Sequence, residues 1–452
     1  MHTFEVWAPT PESVRVEVDG ITHEMDRTDD GWWRAEVDCD NRARYGFVVD
    51  GETLPDPRSP RQPEGVHLRS QLHQLDEASW TDSQWTGRQL PGSSVYELHI
   101  GTFTPEGTFD AAIERLDHLV DLGVGFVEIM PVNGFNGTHN WGYDGVLWYT
   151  VHEIYGGPDG LQRLVNAAHE RGLGVILDVV YNHLGPSGNY LEKFGPYIAD
   201  GANTWGRTIN IGGPQSGEVR EYIIGNALRW MRDFHIDGLR LDAVHALVDH
   251  TGTHILEELA VRTETLSAHL GRPLTLIAES DLNDATLITP RAAGGFGLDA
   301  QWDDDIHHTI HTAVSGERRV ITPTSDPWNP LQIHCGAGSS TPERIPRSVD
   351  GFTAGRSISR ISRQRSARIH VHPRSDRQPS DRRPPERLSD TRTIGDQGGT
   401  GPALAVHADA VHGRGMGSDD AVPVLHLASG TGTRRGHCQR PQSGVRGARL
   451  EQ

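Results

Sequence analysis

The sequence predicts an α/β protein in which an N-terminal β-sandwich is followed by a (β/α)8 barrel that is incomplete after about strand six. Three observations support this fold class. Short segments with period-two alternation fill the first 90 residues. Apolar strands then alternate with amphipathic helices, which is typical of a parallel sheet covered on both faces. This alternation ceases near residue 319, where the composition also changes.

Residues 1–90 predict a small sandwich of the carbohydrate-binding kind, followed by a linker. Four segments read as strands, namely FEVWAP, VRVEVDG, WWRAEVD and ARYGFVVDG, and Pro, Gly and Asp residues separate them. The stretch Leu54–Leu68 is rich in proline and predicts an ordered linker rather than a helix or strand.

Residues 91–319 predict the barrel. The apolar strand SVYELHIG comes first, and Thr108–Leu122 then predicts one amphipathic helix that ends at Gly123. The strand VGFVEIMPV follows, and three further helix–strand units end in LGVILDVVYNH, IDGLRLDAVH and LTLIAES; the last of their helices is predicted near Ile255–Leu270. FGLDAQW is the sixth apolar run. No GxGxxG follows the first strand, so a barrel is favoured over a dinucleotide-binding sheet.

Charge and cysteine content exclude several classes of protein. The 61 acidic and 42 basic residues give a net charge of −19, which argues against nucleic acid or an anionic membrane as the main partner. Three widely spaced cysteines cannot form a disulfide framework or a CxxC zinc site. No stretch reaches the roughly 20 apolar residues of a membrane span. The N-terminus MHTFEVWAPT lacks the pattern of a signal peptide, so a cytoplasmic location is predicted.

Residues 320–452 differ in composition from the rest of the chain. They carry 12 acidic and 19 basic residues, and Trp328 and Phe352 are their only aromatic residues. A segment of this kind buries too little apolar surface to offset its chain entropy. It therefore predicts a disordered tail with no candidates for barrel strands seven and eight.

Charged residues at the ends of the predicted strands are candidates for catalysis, because catalytic groups of parallel barrels lie at the carboxyl ends of the strands. In DGLRLDAVH, Arg240 and Asp242 are two residues apart and so share one face of the strand. The arginine would keep the Asp242 carboxylate ionised. Glu279 ends the following strand, and we expect it to face Asp242 across the barrel mouth. One ionised carboxylate opposite one protonated carboxyl group is the arrangement that glycoside hydrolysis requires.

Other interpretations of the same residues remain open at this point. An isolated Asp–Arg pair is often purely structural, and a strand-end histidine is often held by a backbone partner. His183, His245, Asp178 and Glu279 could instead form a metal site, although neither HxH nor HExxH spacing occurs. The segment HNWGYDG (139–145) is either an ordinary loop or an aromatic surface suited to sugar stacking.

Three motifs carry a resemblance to a known family. DVVYNH (178–183), DGLRLDAVH (237–245) and IAES (277–280) resemble three of the four signature regions of the α-amylase superfamily, in order and at strand ends. Within that superfamily, YELHIGTFTPEGTFDAAIERLDHL, WGYDGV, AESDLND and GLDAQWDDDIHH resemble the malto-oligosyltrehalose trehalohydrolases, from residue 4 to about residue 319. Branching enzymes share the sandwich and barrel, but they carry a second Glu where this chain has Ser280.

The resemblance implies roles for seven residues. Asp242 would be the nucleophile and Glu279 the general acid, then base, of a retaining mechanism. Tyr143 would stack on the sugar bound next to the cleaved bond, and His245 would line the acceptor side. The residues implied in substrate binding are Tyr143, Asp178, His183, Arg240 and His245.

The reaction implied is cleavage of the α-1,4 bond next to the terminal trehalose unit of maltooligosyltrehalose, which releases trehalose. Neither a metal nor a cofactor is expected, and neither nucleic acid nor membrane is an expected partner. A functional link to a maltooligosyltrehalose synthase, which would supply the substrate, is expected. The alternatives are a branching-enzyme-like transferase and a non-catalytic glucan-binding relic.

The C-terminal part departs from the family pattern. The fourth signature, a His-Asp dipeptide whose Asp is the third catalytic carboxylate, does not occur after His308. RVITPTSDPWNPL (319–331) can be encoded so that a shifted frame reads GYYSDFGSMESL, a family-like string. Residues 372–389 and 407–429 can hide two further family-like strings at a different offset. We interpret residues 320–452 as out of frame, and the literal 452-residue chain as inactive.

Overall fold

The computed structural model describes residues 1–282 and 284–303, together with the backbone of residues 403–411 and 422–430. Its N-terminal part consists of two antiparallel sheets that enclose a shared core. The strands are β1 (His2–Trp7), β2 (Val14–Val18), β3 (Ile21–Glu24), β4 (Asp26–Arg27), β5 (Trp32–Val37), β6 (Arg44–Val49), β7 (Glu52–Leu54) and β8 (Ser70–Gln71). One sheet has the order β1-β5-β4 and the other β3-β2-β6-β7, with β8 also paired to β6.

Alternation of side chains explains this N-terminal core. Strand β2 buries Val14, Val16 and Val18, while its intervening residues are half-buried. Trp33 and Phe47, from the two sheets, are both buried in the same core. The predicted β-rich N-terminal domain is therefore confirmed.

Six parallel strands form the wall of the second part. They are β9 (Val95–Leu98), β10 (Phe126–Ile129), β11 (Gly174–Val179), β14 (Gly238–Leu241), β15 (Thr275–Ser280) and β16 (Ala300–Asp303), each hydrogen-bonded to the next in this order. The helices around them are α1 (Ile100–Phe103), α2 (Phe109–Ile113), α3 (Leu116–Asp121), α4 (Gly157–Glu170), α5 (Leu191–Phe194), α6 (Ser216–Asp233) and α7 (Ile255–Leu270). A short antiparallel pair, β12 (Ile198–Ala202) and β13 (Arg207–Ile209), lies between β11 and β14 along the chain.

The helices follow the predictions with one difference. Helix α7 spans Ile255–Leu270 as predicted, and Gly271, with φ of 67°, ends it. The single helix predicted over 108–122 is two helices, α2 and α3. At their junction the N–H groups of Arg115 and His118 donate to carbonyl groups three residues back, so a tighter turn interrupts the α-helical ladder. No helix among the described residues has the length and apolar content needed to cross a membrane.

The sheet closes through an antiparallel pair of strands, of which only the second runs parallel to the wall. Strands β17 (Ala403–Val411) and β18 (Val422–Gly430) are antiparallel to each other. β17 meets β16 at one register pair, Trp302 with Val411, and is antiparallel to it. β18 meets β9 at one pair, Leu425 with Tyr96, and is parallel to it. Among the described residues, six consecutive strands pair in parallel, as predicted. Our prediction that residues 320–452 hold no candidates for strands seven and eight is wrong, because β17 and β18 occupy these places in the sheet. The other sequence predictions for this segment, including the disordered tail, lie outside the described residues.

A linker strap, residues 55–92, joins the two parts and lies along helix α4. No helix or strand occurs between Leu54 and Ser70, in agreement with the predicted linker. From residue 73 onward the strap bonds to successive turns of α4. The contacts are His73 with Asp159 at 2.7 Å, the Gln162 side chain with the Asp76 carbonyl at 2.9 Å, and the Thr81 N–H with Asn166 at 2.8 Å.

The strap ends in a buried charge network at the amino ends of the strands. We call Asp82, Trp85, His169, Asp237 and Arg272 the basal network. His169 lies between the Asp82 and Asp237 carboxylates, at 2.8 and 2.9 Å, and its side chain is fully buried. Asp237 also accepts hydrogen bonds from Trp85 at 2.8 Å, Arg272 at 2.7 Å and the Val175 N–H at 2.9 Å. This network fixes the strap against the barrel, because Asp82 and Trp85 of the strap bond to His169 and Asp237 of the barrel. It also satisfies every oxygen lone pair that Asp237 offers.

Candidate active site

Four charged side chains meet at the carboxyl ends of β11, β14 and β15, with Arg240 among them. Its Nη1 atom lies 2.7 Å from Asp242 Oδ1 and 3.1 Å from Asp178 Oδ2, and its Nη2 atom lies 3.7 Å from Glu279 Oε2. Burial opposes the charge of Arg240, but the surrounding carboxylates hold its pKa well above the usual value. Arg240 is thus a shared counterion for three carboxylates.

Asp242 has the surroundings of a nucleophile. Arg240 donates to its Oδ1 atom, and the Asn182 amide donates to its Oδ2 atom at 2.9 Å. A second bond from the same amide, to the Asp242 carbonyl at 2.9 Å, fixes the backbone. The side chain keeps 16% of its surface exposed, so the carboxylate is oriented and still accessible.

Glu279 is positioned by the residue that follows Asp242. The Ala243 N–H donates to Glu279 Oε2 at 2.6 Å. Ala243 adopts the left-handed conformation with φ of 43°, which is strained for a residue with a side chain. Asp242 comes directly after β14 and Glu279 lies in the neighbouring strand β15, and their facing each other across the mouth stays a prediction. Their predicted separation of roughly 5–6 Å, that of retaining enzymes, stays a prediction.

Asp178 is a buried partner of this cluster. Tyr143 donates its hydroxyl to Asp178 Oδ2 at 2.9 Å, and burial keeps the tyrosine pKa well above its usual value. Burial, together with the negative charges of Asp242 and Glu97, raises the pKa of Asp178 to about 7, against the opposing effect of Arg240. Asp178 is therefore easier to protonate than an exposed aspartate.

Three carboxyl groups gather inside the barrel below the mouth. Oxygen atoms of Glu97, Glu128 and Asp178 lie within 4.8 Å of one another. Among the described residues this is the one group with such metal-ligand spacing, and of the four alternative metal ligands that the sequence offered it contains only Asp178. Three acidic groups so close together cannot all ionise at low cost, which agrees with the raised pKa of Asp178.

The two predicted histidines, His183 and His245, lie near the charged side chains around Arg240. His183 is buried, its Nδ1 atom lies 2.6 Å from Asn182 Oδ1, and burial lowers its pKa. His245 is half-buried, with Nδ1 3.8 Å from Asp281 Oδ1. The ring of Trp205, which is 49% exposed, lies 6.1 Å from that of His183 and 5.9 Å from that of His245. His183 is thus joined to Asp242 through Asn182, whereas His245 lines an outer edge of the mouth.

The loop HNWGYDG carries Tyr143 into the site. The Asn140 side chain accepts from the Gly142 N–H at 2.7 Å and donates to Asp144 at 2.8 Å. Gly142 has φ of +100°, and a Cβ atom there would lie 2.1 Å from the Pro131 carbonyl oxygen. Glycine is therefore required at this position for the turn that presents Tyr143.

Sequence reasoning had not assigned roles to three of these neighbours. Asn182 lies within the DVVYNH motif but was not among the seven residues with an implied role. No sequence pattern indicates the Ala243 N–H, because its role depends on the backbone conformation. Trp205 lies between β12 and β13, in a stretch where period and charge predict nothing.

The chain matches known proteins over its first part. The family model described as "Alpha amylase, catalytic domain" matches residues 74–202. The malto-oligosyltrehalose trehalohydrolase of Mycobacterium tuberculosis is 63% identical over 324 residues, which are 71% of this chain and 56% of that protein. A 1,4-alpha-glucan branching enzyme of Leifsonia xyli is 29% identical over 66% of this chain and 46% of its own length. The chain therefore spans about half the length of these relatives.

A solved structure supports the same assignment of fold. A Salmonella typhimurium protein named as a candidate alpha amylase superposes with a TM-score of 0.68 and 37% identity. The superposition covers 74% of this chain and 57% of that one. The described residues thus have an α-amylase-type fold, with a β-rich N-terminal part and a six-stranded parallel wall.

Proposed function

We propose that this chain is the larger part of a retaining glycoside hydrolase that releases trehalose from maltooligosyltrehalose. One observation carries the proposal: an arginine-oriented, accessible carboxylate, Asp242, lies beside a second accessible carboxyl group, Glu279. The 63% identity to a trehalohydrolase supports the choice of substrate.

In the first step Asp242 attacks the anomeric carbon of the sugar next to the cleaved α-1,4 bond. Glu279 gives its proton to the departing oxygen, so trehalose leaves with a free hydroxyl group and a glycosyl ester forms on Asp242. Arg240 and Asn182 hold the attacking oxygen atoms in place through the bonds described above. Tyr143 offers its ring face to the same sugar while its hydroxyl is held by Asp178.

In the second step Glu279, now a carboxylate, takes a proton from a water molecule. The resulting hydroxide attacks the anomeric carbon, and the ester bond to Asp242 breaks. Two inversions give net retention, so the glucan product leaves as the α-anomer. His183 supports the bound sugar beside Asp178, and His245 lines the acceptor side.

A branching-enzyme-like transferase is the second candidate, since the sandwich and barrel are shared and one such enzyme is 29% identical. Ser280 follows Glu279 here, and the trehalohydrolase relative is much more similar. Both observations favour the hydrolase. We further propose a cytoplasmic location and a synthase of maltooligosyltrehalose as the source of the substrate.

We also propose that the codons after about residue 319 are read out of frame. The match to the trehalohydrolase covers 324 residues, close to the length of chain before the composition changes. The hairpin β17–β18 meets the parallel wall at only one register pair on each side. We call the product of the frame-corrected gene the restored protein.

The test uses a trehalose-capped maltooligosaccharide as substrate. The gene is resequenced around codon 319, and both the 452-residue chain and the restored protein are expressed. We expect the restored protein to be soluble and to release trehalose together with an α-anomeric glucan. We expect the 452-residue chain to be insoluble or inactive.

Each part of the proposal has its own contradicting result. A soluble and active 452-residue chain, or resequencing without a shift, would refute the frame proposal. A β-anomeric product would refute the covalent mechanism. Formation of α-1,6 branches would favour the transferase, and glucan binding without turnover by the restored protein would favour the relic.

A further inference from the structure

We propose that Trp141 is a glucan-binding platform that holds the α-1,4-linked chain on the side of Asp242 away from Glu279 and so sets the preference for chain length. The inference rests on the proposed function, and it names the residue that recognises the non-trehalose part of the substrate. Trp141 belongs to the HNWGYDG segment, but it is not one of the seven residues that the sequence predicts for the site.

Trp141 presents a large apolar surface at the rim of the mouth. Trp141 is 58% exposed, although it lies only two residues before Tyr143, which is half-buried and bonds to the buried Asp178. A flat aromatic face suits the C–H face of a glucose ring, because both surfaces are apolar while the sugar hydroxyl groups stay in water. A single exposed tryptophan is not by itself a binding site. The residues that hold its ring in place are therefore the evidence for a binding role.

The surroundings hold the Trp141 ring in one place. The ring rests against His99, with ring centroids 4.8 Å apart and an angle of 60° between the planes. His99 in turn lies 3.1 Å from the hydroxyl of Tyr155, which is buried. The Asn140 side-chain bonds and the Gly142 turn hold the backbone on both sides of Trp141. A platform held in advance loses little entropy when a sugar stacks on it.

The order of the strands indicates which part of the substrate contacts Trp141. Along the wall the order is β9, β10, β11, β14 and β15. His99 follows β9 and the Trp141 loop follows β10, whereas Glu279 belongs to β15, on the other side of Asp178 and Asp242. The general acid must lie beside the leaving oxygen and hence beside trehalose. The glucan retained on Asp242 therefore extends toward Trp141.

Chain-length preference follows from this placement. A glucan with one glucose unit beyond the cleaved bond reaches Tyr143 only, whereas a longer glucan also covers Trp141. The extra contact should favour longer substrates by about tenfold in kcat/KM, which corresponds to a binding gain of about 1.4 kcal/mol.

The experiment measures kcat/KM of the restored protein on trehalose-capped substrates with one to five additional glucose units. Trp141→Ala should flatten the rise with chain length, and Trp141→Phe should retain most of it. Trp205→Ala is the matched control, because Trp205 is similarly exposed but lies beside His183 and His245. It should change the rate on all lengths alike.

A binding measurement separates recognition from chemistry. In an Asp242→Asn background, maltohexaose affinity is measured by calorimetry with and without Trp141→Ala, and the added substitution should weaken it about tenfold. An unchanged affinity, or an unchanged rise of kcat/KM with length, would overturn the proposal. If the protein instead shortens plain maltooligosaccharides and releases no trehalose, the proposed function fails. The Trp141 proposal then stands or falls on the length dependence of that reaction.

Discussion

The two ends of strand β14 carry the same kinds of charged groups and use them in opposite ways. At its amino end, Asp237 accepts four hydrogen bonds from His169, Arg272, Trp85 and the Val175 N–H, and no part of its side chain is exposed. At its carboxyl end, the Asp242 carboxylate accepts two, and 16% of its side chain is exposed. Asp237 has no free lone pair, whereas Asp242 keeps lone pairs for a substrate.

This difference separates a structural carboxylate, Asp237, from the one that we propose to be catalytic, Asp242, although both lie in one motif. Charge alone does not separate them, since both are paired with an arginine. The lone pairs of Asp237 are all used and its side chain has no contact with water. Both features indicate that the basal network serves to hold the strap in place. Incomplete saturation at the mouth costs stability, which is common for functional sites.

Of the substitutions considered, Asp242→Asn should have the largest effect. It should reduce turnover and leave the basal network unchanged. The amide cannot form the glycosyl ester, so we expect kcat of the restored protein to fall more than about 1,000-fold, with substrate binding retained. Initial rates and calorimetric binding test this. A fall of less than about tenfold would remove Asp242 as the nucleophile.

Asp237→Asn should act at the other end, on stability. The new amide donor would face the N–H groups of Trp85 and Arg272, so we expect the free energy of unfolding to drop by about 3 kcal/mol. Chemical denaturation measures this, and turnover per folded molecule should stay close to normal. Equal stability in the two proteins would mean that the basal network holds nothing in place.

Asp178→Asn should sharpen the contrast by stabilising the fold while harming the reaction. The pKa of Asp178 is about 7 in the folded chain and lies near its ordinary value of 3.8 when unfolded. Ionising it in the fold therefore costs stability as pH rises from about 4 through 7. We expect the variant to be more stable than the parent by roughly 1–2 kcal/mol at pH 8, and similar at pH 4. A variant less stable than the parent at pH 8 would contradict this.

The smallest expected effect is a pH dependence of the basal network. Burial favours neutral His169, but hydrogen bonds to Asp237 and Asp82 outweigh it and raise the pKa of His169 above 6.5. The stability this contributes is complete below pH 6.5 and is lost as pH rises through the folded value. His169→Gln should remove a slope of roughly 1 kcal/mol between pH 6 and 9. The Asp82 and Asp237 carboxylates and the Trp85 ring face His169, and the two carboxylates are also paired with His235 and Arg272. An unchanged slope would assign the titration elsewhere.

Much of the fold could be predicted because period and order are local signals. Six apolar runs placed the parallel strands, and the motif spacing placed Arg240 and Asp242 on one face. The strands 403–411 and 422–430 escaped prediction because the sequence around them is poor in aromatic residues. The break between α2 and α3 escaped it because both helices share one apolar stripe. The Ala243 N–H and the pairing of Asp82 with His169 depend on tertiary approach, which no local pattern encodes.

The linker strap also bears on how the chain reaches its native state. Trp85 bonds to Asp237 across 152 residues of sequence, and His67 bonds to Tyr190 across 123. Such contacts close very long loops, and their entropic cost is met only after most of the wall has formed. The strap leaves the ribosome before the barrel yet docks after it. Chains interrupted before α4 and β14 are complete therefore leave the strap undocked and exposed to aggregation.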